Sequence, residues 1–444
     1  MNKRFVILLF LTLAVFLSGC NMTTVDKLYS PPLRSDDYTN LQAVMQKAMS
    51  GCEYAAPQSG ENQQTVQLAD LDGDGKKEYL LFAKNSNAEK PLRIFVFSGD
   101  GETYHLQDTI EFAGAAFDKV DYVQMDRSRG VELVVGCQVS DQILRAVSAY
   151  TMTDGKMQRI LTTHYSGYLC NDMDRNGLSD VFVFYPDPET AEKSVAECFG
   201  FWNGALNRSQ PARLSASVEQ IRRIVVGKLQ DGPAAVYIAS SFADGSVITD
   251  AVSFVDGHLL NVCLTSDSEN AVQTVRNSLV YADDIDNDGV LELPSLVSPA
   301  AAEGVVSDGS QYVIRWYAFN SDGSTVDKLH TYHNFAGKWY LQIDSAIAKQ
   351  LIVTQKGNSY EFGIYQPNQS PLKLMTLTVL TGQKREEQAV QDNRFAVFKN
   401  ESTIYAVKLE VASASFGITQ ESILSGFHLI VQDWNTGMTK GEQI

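Results

Sequence analysis

Five copies of one short unit divide most of this chain, and a unit of that size cannot bury a sheet by itself. Three copies carry complete acidic loops: Asp70-Leu71-Asp72-Gly73-Asp74-Gly75-Lys76-Lys77-Glu78, Asp172-Met173-Asp174-Arg175-Asn176-Gly177-Leu178-Ser179-Asp180 and Asp284-Ile285-Asp286-Asn287-Asp288-Gly289-Val290-Leu291-Glu292. Two more, Gln124 to Glu132 and Gly227 to Ala235, keep the spacing and lose ligands. The third loop positions, Asp72, Asp126, Asp174, Leu229 and Asp286, follow one another at steps of 54, 48, 55 and 57 residues. Each loop leads into an apolar run such as Tyr79-Leu80-Leu81-Phe82, which reads as a buried strand. A hairpin turn then follows each time: Asp100-Gly101, Asp154-Gly155, Asn203-Gly204, Asp256-Gly257 and Asp322-Gly323. Neighbouring units must therefore pack face to face. The period is that of a four-stranded blade, so residues 55–335 are expected to form a mainly β, calcium-loop β-propeller of five to seven blades. A linear stack is less favoured, because each unit is too short for an independent core.

The loops define a chemistry. Oxygen-bearing side chains at the first, third and fifth positions, a glycine at the sixth and an acid at the ninth suit a hard cation such as calcium. An EF-hand opens the same way but needs a carboxylate at position twelve and a helix behind it. Here Leu81, Val183 and Ser295 stand at that position and strand formers follow, so the EF-hand reading is set aside. Three calcium ions are expected. Crowded carboxylates repel until a cation neutralises them, so folding and binding are coupled. At a dissociation constant near ~10⁻⁴ M and ~10⁻³ M calcium, each site would add about 1.4 kcal/mol.

The loops resemble those of the FG-GAP and VCBS repeat families, which include the propeller of integrin alpha chains. By that resemblance Asp70, Asp72, Asp74 and Glu78 would hold one calcium, Asp172, Asp174, Asn176 and Asp180 a second, and Asp284, Asp286, Asp288 and Glu292 a third. The main-chain carbonyls of Lys76, Leu178 and Val290 occupy the place where such loops add a backbone oxygen. Regular Phe-Gly and Gly-Ala-Pro signatures are missing, which leaves the blade number open.

The amino terminus speaks to location. Lys3 and Arg4 precede an apolar stretch too short to span a bilayer, ending at Leu17-Ser18-Gly19-Cys20. This resembles a bacterial lipoprotein signal, which implies removal of residues 1–19 and a lipid on Cys20 facing outside the cytoplasm. Residues 20–54 are expected to form a linker and a short helix with Leu41, Val44, Met45 and Ala48 on one face. A net charge of −17 without a Lys/Arg cluster argues against a nucleic-acid partner. The remaining cysteines, Cys52, Cys137, Cys170, Cys198 and Cys263, have no metal-ligand or disulfide spacing.

Beyond residue 335 the period stops, and residues 336–444 are expected to form a smaller α+β domain, with Thr419 capping a last helix. No GxSxG, HExxH, Walker or GxGxxG motif is present, so no catalytic residue is assigned. His330 and His333, three apart on a strand, face opposite ways and do not make a metal pair. Trp202 and Trp316 are candidate platforms for a ligand. The expected function is a non-catalytic, surface-anchored binding protein for a protein or glycan partner. The alternative is a secreted carbohydrate-active hydrolase or lyase using acids in the propeller cleft.

Overall fold

The structure is a computed structural model that describes residues 36–101, 103–139, 145–190, 192–264, 271–277, 280–297 and 311–430. The expected lipoprotein signal and Cys20 lie outside the described residues. Among the described residues no helix is long and apolar enough to cross a membrane.

The protein is mainly β, and its described residues form six antiparallel sheets. In the first, Glu53–Tyr54 and Val66–Ala69 both pair onto Glu78–Lys84, followed by Leu92–Gly99 and Tyr104–Phe112. The second runs Ala116–Val123, Glu132–Gln138, Arg145–Thr153 and Lys156–Tyr165 as a simple meander. The third is Gly167–Asn171, Asp180–Pro186, Ser194–Trp202 and Ala205–Arg208, with Ala212–Arg213 added against its third strand. The fourth is Ile221–Lys228, Ala234–Ser241, Val247–Val255 and His258–Asn261. The fifth holds Leu293–Leu296, Gln311–Phe319, Thr325–Asn334 and Trp339–Ile343, and the sixth Leu351–Lys356, Ser359–Ile364, Leu372–Thr381, Phe395–Lys399 and Thr403–Leu409. Each of the five sequence repeats thus occupies one sheet. The predicted turns each join two neighbouring strands of a sheet, and in three of them both central residues have positive φ: Asp154-Gly155, Asn203-Gly204 and Asp256-Gly257.

Strands that are apolar at every position hold the sheets together. Val181 and Val183 enter the core shared with the second sheet, while Phe182 and Phe184 enter the core shared with the fourth. Val134 and Val135 likewise point to opposite sides, as do Val236 and Tyr237. Side chains alternate across a strand, so a continuous apolar run is buried on both faces. At about 1.5–3 kcal/mol for each fully buried large aliphatic or aromatic side chain, these shared cores are the main attraction between repeats.

Two expectations need correction. Among the described residues no hydrophobic cluster joins the first sheet to the last, so ring closure is not part of the observed packing. The outer face of the first sheet, with Leu81, Ala83, Phe95 and Phe97, is covered by the helix Asp36–Ala48 through Leu41, Val44, Met45 and Ala48. That of the sixth sheet, with Leu380, Ile404 and Ala406, is covered by Ala389 of the helix Arg385–Ala389. Nor is residue 335 a clean boundary. Trp339–Ile343 is a strand of the fifth sheet, and Phe427–Leu429 returns to pair with it. Residues of the fifth and sixth sheets also share one core around Trp339, Phe362 and Phe427. Thr419 does cap Gln420–Gly426, accepting from Ser422 N, but Leu424 faces solvent.

The acidic loops abut along one margin of the stack. Val131 N donates to Asp70 O at 3.0 Å, Ser179 N to Gln124 O at 2.6 Å and Leu291 N to Lys228 O at 3.2 Å. The approach is so close that a Cβ on Gly130 would lie 2.0 Å from Leu71 O and 2.5 Å from its carbonyl carbon. Gly130→Ala is therefore expected to cost about 1–3 kcal/mol through forced backbone displacement. Urea unfolding of the variant checks this; a midpoint equal to the wild type would mean that the first two loops are not in backbone contact.

Candidate metal centres and a polar cleft

In each complete loop the ninth residue opens the next strand, as Glu78 and Asp180 do, or directly precedes it, as Glu292 does, and its carboxylate folds back onto the loop. Glu78 Oε2 accepts from Leu71 N at 2.8 Å, Asp180 Oδ2 from Met173 N at 2.8 Å and Glu292 Oε2 from Ile285 N at 3.1 Å. The three acids are 3 %, 0 % and 0 % exposed. The first acid braces the turn: Asp70, Asp172 and Asp284 each accept from the glycine N–H at position six, Gly75, Gly177 and Gly289. Those glycines have φ of 88°, 86° and 84°. Position four is also left-handed, and Arg175 and Asn287 adopt φ of 62° and 61° there.

This folding converges acids at one point per loop. Oxygens of Asp70, Asp72 and Glu78, of Asp172, Asp174 and Asp180, and of Asp284, Asp286 and Glu292 each gather within 4.8 Å, and each group could hold a metal ion. The fifth-position residues lie outside those groups. Asp74, Asn176 and Asp288 instead use Oδ1 to accept from the main chain two residues on, at Lys76, Leu178 and Val290.

Electrostatics separates the loops. Burial, with Asp174 and Asp172 alongside, pushes the Asp180 carboxyl up to about 7. Its Oδ1 is buried and accepts no hydrogen bond, a costly arrangement for a carboxylate unless a cation completes it. A Cβ on Gly200 would lie 1.9 Å from that oxygen, so the missing side chain leaves it room. Burial and the Asp72 and Asp70 charges also raise Glu78. Burial raises Glu292 to about 7, helped by Asp286 and opposed by Lys328. Lys328 reaches into this third loop: Nζ bonds Asp288 Oδ2 and lies 3.6 Å from Asp286 Oδ2 and 3.8 Å from Glu292 Oε1. The same ammonium holds Asp288 below the usual carboxylate range.

The degenerate loops show what replaces a cation. Glu132 keeps the bond from Met125 N at 2.6 Å, but its Oε1 lies within 3.4 Å of Ser128 Oγ and 3.3 Å of Thr151 Oγ1. Gln124, at the first position, donates its amide to Asp126 O and Ser128 O. Neutral donors inside the protein satisfy this loop.

A second feature escaped the sequence. Strand Ala116–Val123 pairs with its neighbour at Phe117 and again at Val120, and the intervening Asp118 and Lys119 are bulged out of register. They line a cleft of about 610 Å³ with Ser59, Asp121, Arg145, Tyr165 and Tyr168, at the first strands of the second and third sheets. Asp118 accepts from the Tyr165 hydroxyl and lies 3.5 Å from Arg145 Nη1, while Asp121 Oδ2 lies 3.5 Å from Lys119 Nζ. That ammonium sits 4.8 Å above the Tyr168 ring. Burial raises both phenols, and neighbouring Asp118 raises Tyr165 further, so both keep their protons. Gly136 makes the space: a Cβ there would lie 2.3 Å from the Tyr165 hydroxyl. The only sequence signal was the polar pair Asp118-Lys119 interrupting an otherwise alternating strand.

The other candidates fall away or shrink. Trp316 is wholly buried and its Nε1 donates to Thr331 Oγ1 at 2.7 Å, so it is core and no platform. Trp202 is partly exposed and packs edge-on against Phe254 at 5.6 Å. Cys137, Cys198 and Cys263 are buried, and all five described cysteines are free.

No family model and no curated protein matches the chain. Solved structures similar to it include the rhamnogalacturonan lyase YesW, at 14% identity over 87% of this chain and 70% of that one, with a TM-score of 0.31. A Bacillus licheniformis rhamnogalacturonan lyase follows at 12% identity, 85% and 68% coverage and a TM-score of 0.30. An endo-arabinase from Bacteroides thetaiotaomicron matches at 12% identity, 72% and 94% coverage and a TM-score of 0.22. Superpositions of that quality carry no argument about activity.

Since a bound cation must displace any proton on Asp180, affinity is expected to fall as pH drops through about 7. Calorimetric titration of calcium at pH 8 and pH 6 checks this, with tighter binding and less proton release at pH 8. Equal affinity at both would show that Asp180 is not a ligand.

Proposed function

We propose that the protein is a calcium-stiffened binding protein of the cell envelope, whose blade-like sheets hold a polar cleft for a glycan. The observation that carries this reading is the cleft around Asp118, Lys119, Asp121 and Arg145, where two cations and two carboxylates lie in close pairs and Glu61 adds one exposed carboxylate at the lining. Paired charges leave little net field, which suits an uncharged ligand, yet they present alternating donors and acceptors, which is what sugar hydroxyls require. Tyr165 and Tyr168 are buried behind this lining and form the floor that fixes Asp118 and Lys119 in place.

Calcium is the cation of choice for the loops, because every donor there is an oxygen. Its role is structural: the loops brace strand junctions and are separate from the cleft. The similarity of the loops to FG-GAP and VCBS repeats supports the same division between metal-braced blades and a ligand-binding surface. Lipidation at Cys20 would tether the protein to a membrane outside the cytoplasm, where calcium is plentiful.

A second reading has one observation in its favour. Asp121 Oδ2 is buried and accepts no hydrogen bond, so a carboxylate stands available beside Asp118 for a hydrolase or lyase.

Both readings are tested by titrating full-length protein in detergent with a panel of neutral and acidic oligosaccharides. Binding to a neutral member, weakened about tenfold or more by Asp118→Asn or Lys119→Met with calcium uptake unchanged, is the expected result. Release of shortened or unsaturated products that Asp121→Asn abolishes would establish the enzymatic reading instead. No binding to any oligosaccharide would remove the cleft as a glycan site.

A further inference from the structure

We propose that Lys328 is the resident cation of the third acidic loop, so that the protein takes up two calcium ions and not three. The inference rests on the reading of the acidic loops as calcium sites and concerns which of them are open.

The three loops share their fold but not their surroundings. Lys328 comes from the strand Thr325–Asn334 of the same sheet, and its side chain is only 13% exposed. Its Nζ bonds Asp288 Oδ2 and lies 3.6 Å from Asp286 Oδ2 and 3.8 Å from Glu292 Oε1. Three of the four acids that would hold the metal are thus gathered around an ammonium. Among the described residues no lysine or arginine forms an ion pair with the carboxylates of 70–78 or 172–180. Asp180 Oδ1 and Glu292 Oε1 are both buried with no hydrogen-bond donor, and of the two it is Glu292 that has an ammonium beside it, Lys328 Nζ at 3.8 Å.

Calcium requires six to eight oxygens at about 2.3–2.6 Å. An ion at the centre of the third loop would lie within a few ångström of the Lys328 charge, with little water between to screen it. Either the ammonium leaves a site where it is already satisfied, or calcium stays out. Lys328 also reaches beyond its own loop, to Gln230 Oε1 at 3.2 Å. It therefore ties the loop 284–292 to the degenerate loop 227–235, which holds only Asp231 among its acids. This matches the solution at 124–132, where the Ser128 and Thr151 hydroxyls donate to the Glu132 carboxylate and the Gln124 amide donates to main-chain carbonyls of the loop.

The consequence is a division of labour along the stack. Withdrawal of calcium would loosen the loops 70–78 and 172–180 and leave 284–292 braced.

Native mass spectrometry of the full chain in calcium counts the ions. Two in the wild type and three in Lys328→Met are expected, with Lys328→Arg remaining at two. Three in the wild type, or two in both wild type and Lys328→Met, would overturn the proposal. None in any form would overturn the calcium reading beneath it. Hydrogen exchange on the wild type needs no variant: calcium is expected to protect amides in 70–78 and 172–180 and leave 284–292 unchanged. Calcium-induced protection of 284–292 would contradict the role given to Lys328.

Discussion

A buried carboxylate that closes a loop onto its own second residue is the interaction on which this structure depends. It occurs at Glu78, Glu132, Asp180 and Glu292, each accepting from the amide of an apolar residue tucked beneath the loop. Leu71, Met125 and Met173 are 2 %, 0 % and 1 % exposed, so the acid is fixed at the mouth of the core. One oxygen is satisfied by the main chain and the other needs a positive or hydrogen-bearing neighbour. Serine and threonine hydroxyls meet that need at Glu132 and Lys328 approaches it at Glu292, while Asp180 has none. The variation among the loops is a set of answers to one desolvation problem.

The same loops set how repeats meet. Backbone bonds join the first loop to the second, the second to the third and the fourth to the fifth, while two-sided apolar strands fill the space between sheets. Helices cover the outward faces of the first and last sheets, which removes the exposed apolar face that an unclosed stack would present. At the first strands, the bulge at Asp118 and Lys119 turns two charged side chains out of the ladder and into a cleft. Scaffold and cleft are therefore built from different devices: regular loops at the margin, an irregular strand at the cleft.

Much of this was legible in the sequence. The loop positions at 70–78, 172–180 and 284–292, the turn glycines and the alternating cores follow from local spacing, because loop chemistry and strand period are local properties. The ninth acids were named from the resemblance, and the structure brings their oxygens together with those of the first and third. What escaped was non-local. Lys328 lies 36 residues beyond Glu292, and nothing in its neighbourhood marks it as a partner of the loop. Asp118 and Tyr165 lie on the first and fourth strands of one sheet and meet because the tyrosine reaches over Gly136 on a strand between them. Trp316 was misplaced for the same reason, since an aromatic beside a turn does not reveal which face is covered. Ring closure was inferred from a repeat length, and repeat length constrains the unit without fixing how the ends are capped.

The central claim is that divalent cations complete the buried carboxylates and thereby stabilise the stack. Scanning calorimetry of the full chain, first with chelator and then with about 1 mM calcium, addresses it directly. With about 1.4 kcal/mol per occupied site at that concentration, the account predicts an unfolding transition raised by several degrees and reversed by chelator. A transition at the same temperature in both conditions would contradict it.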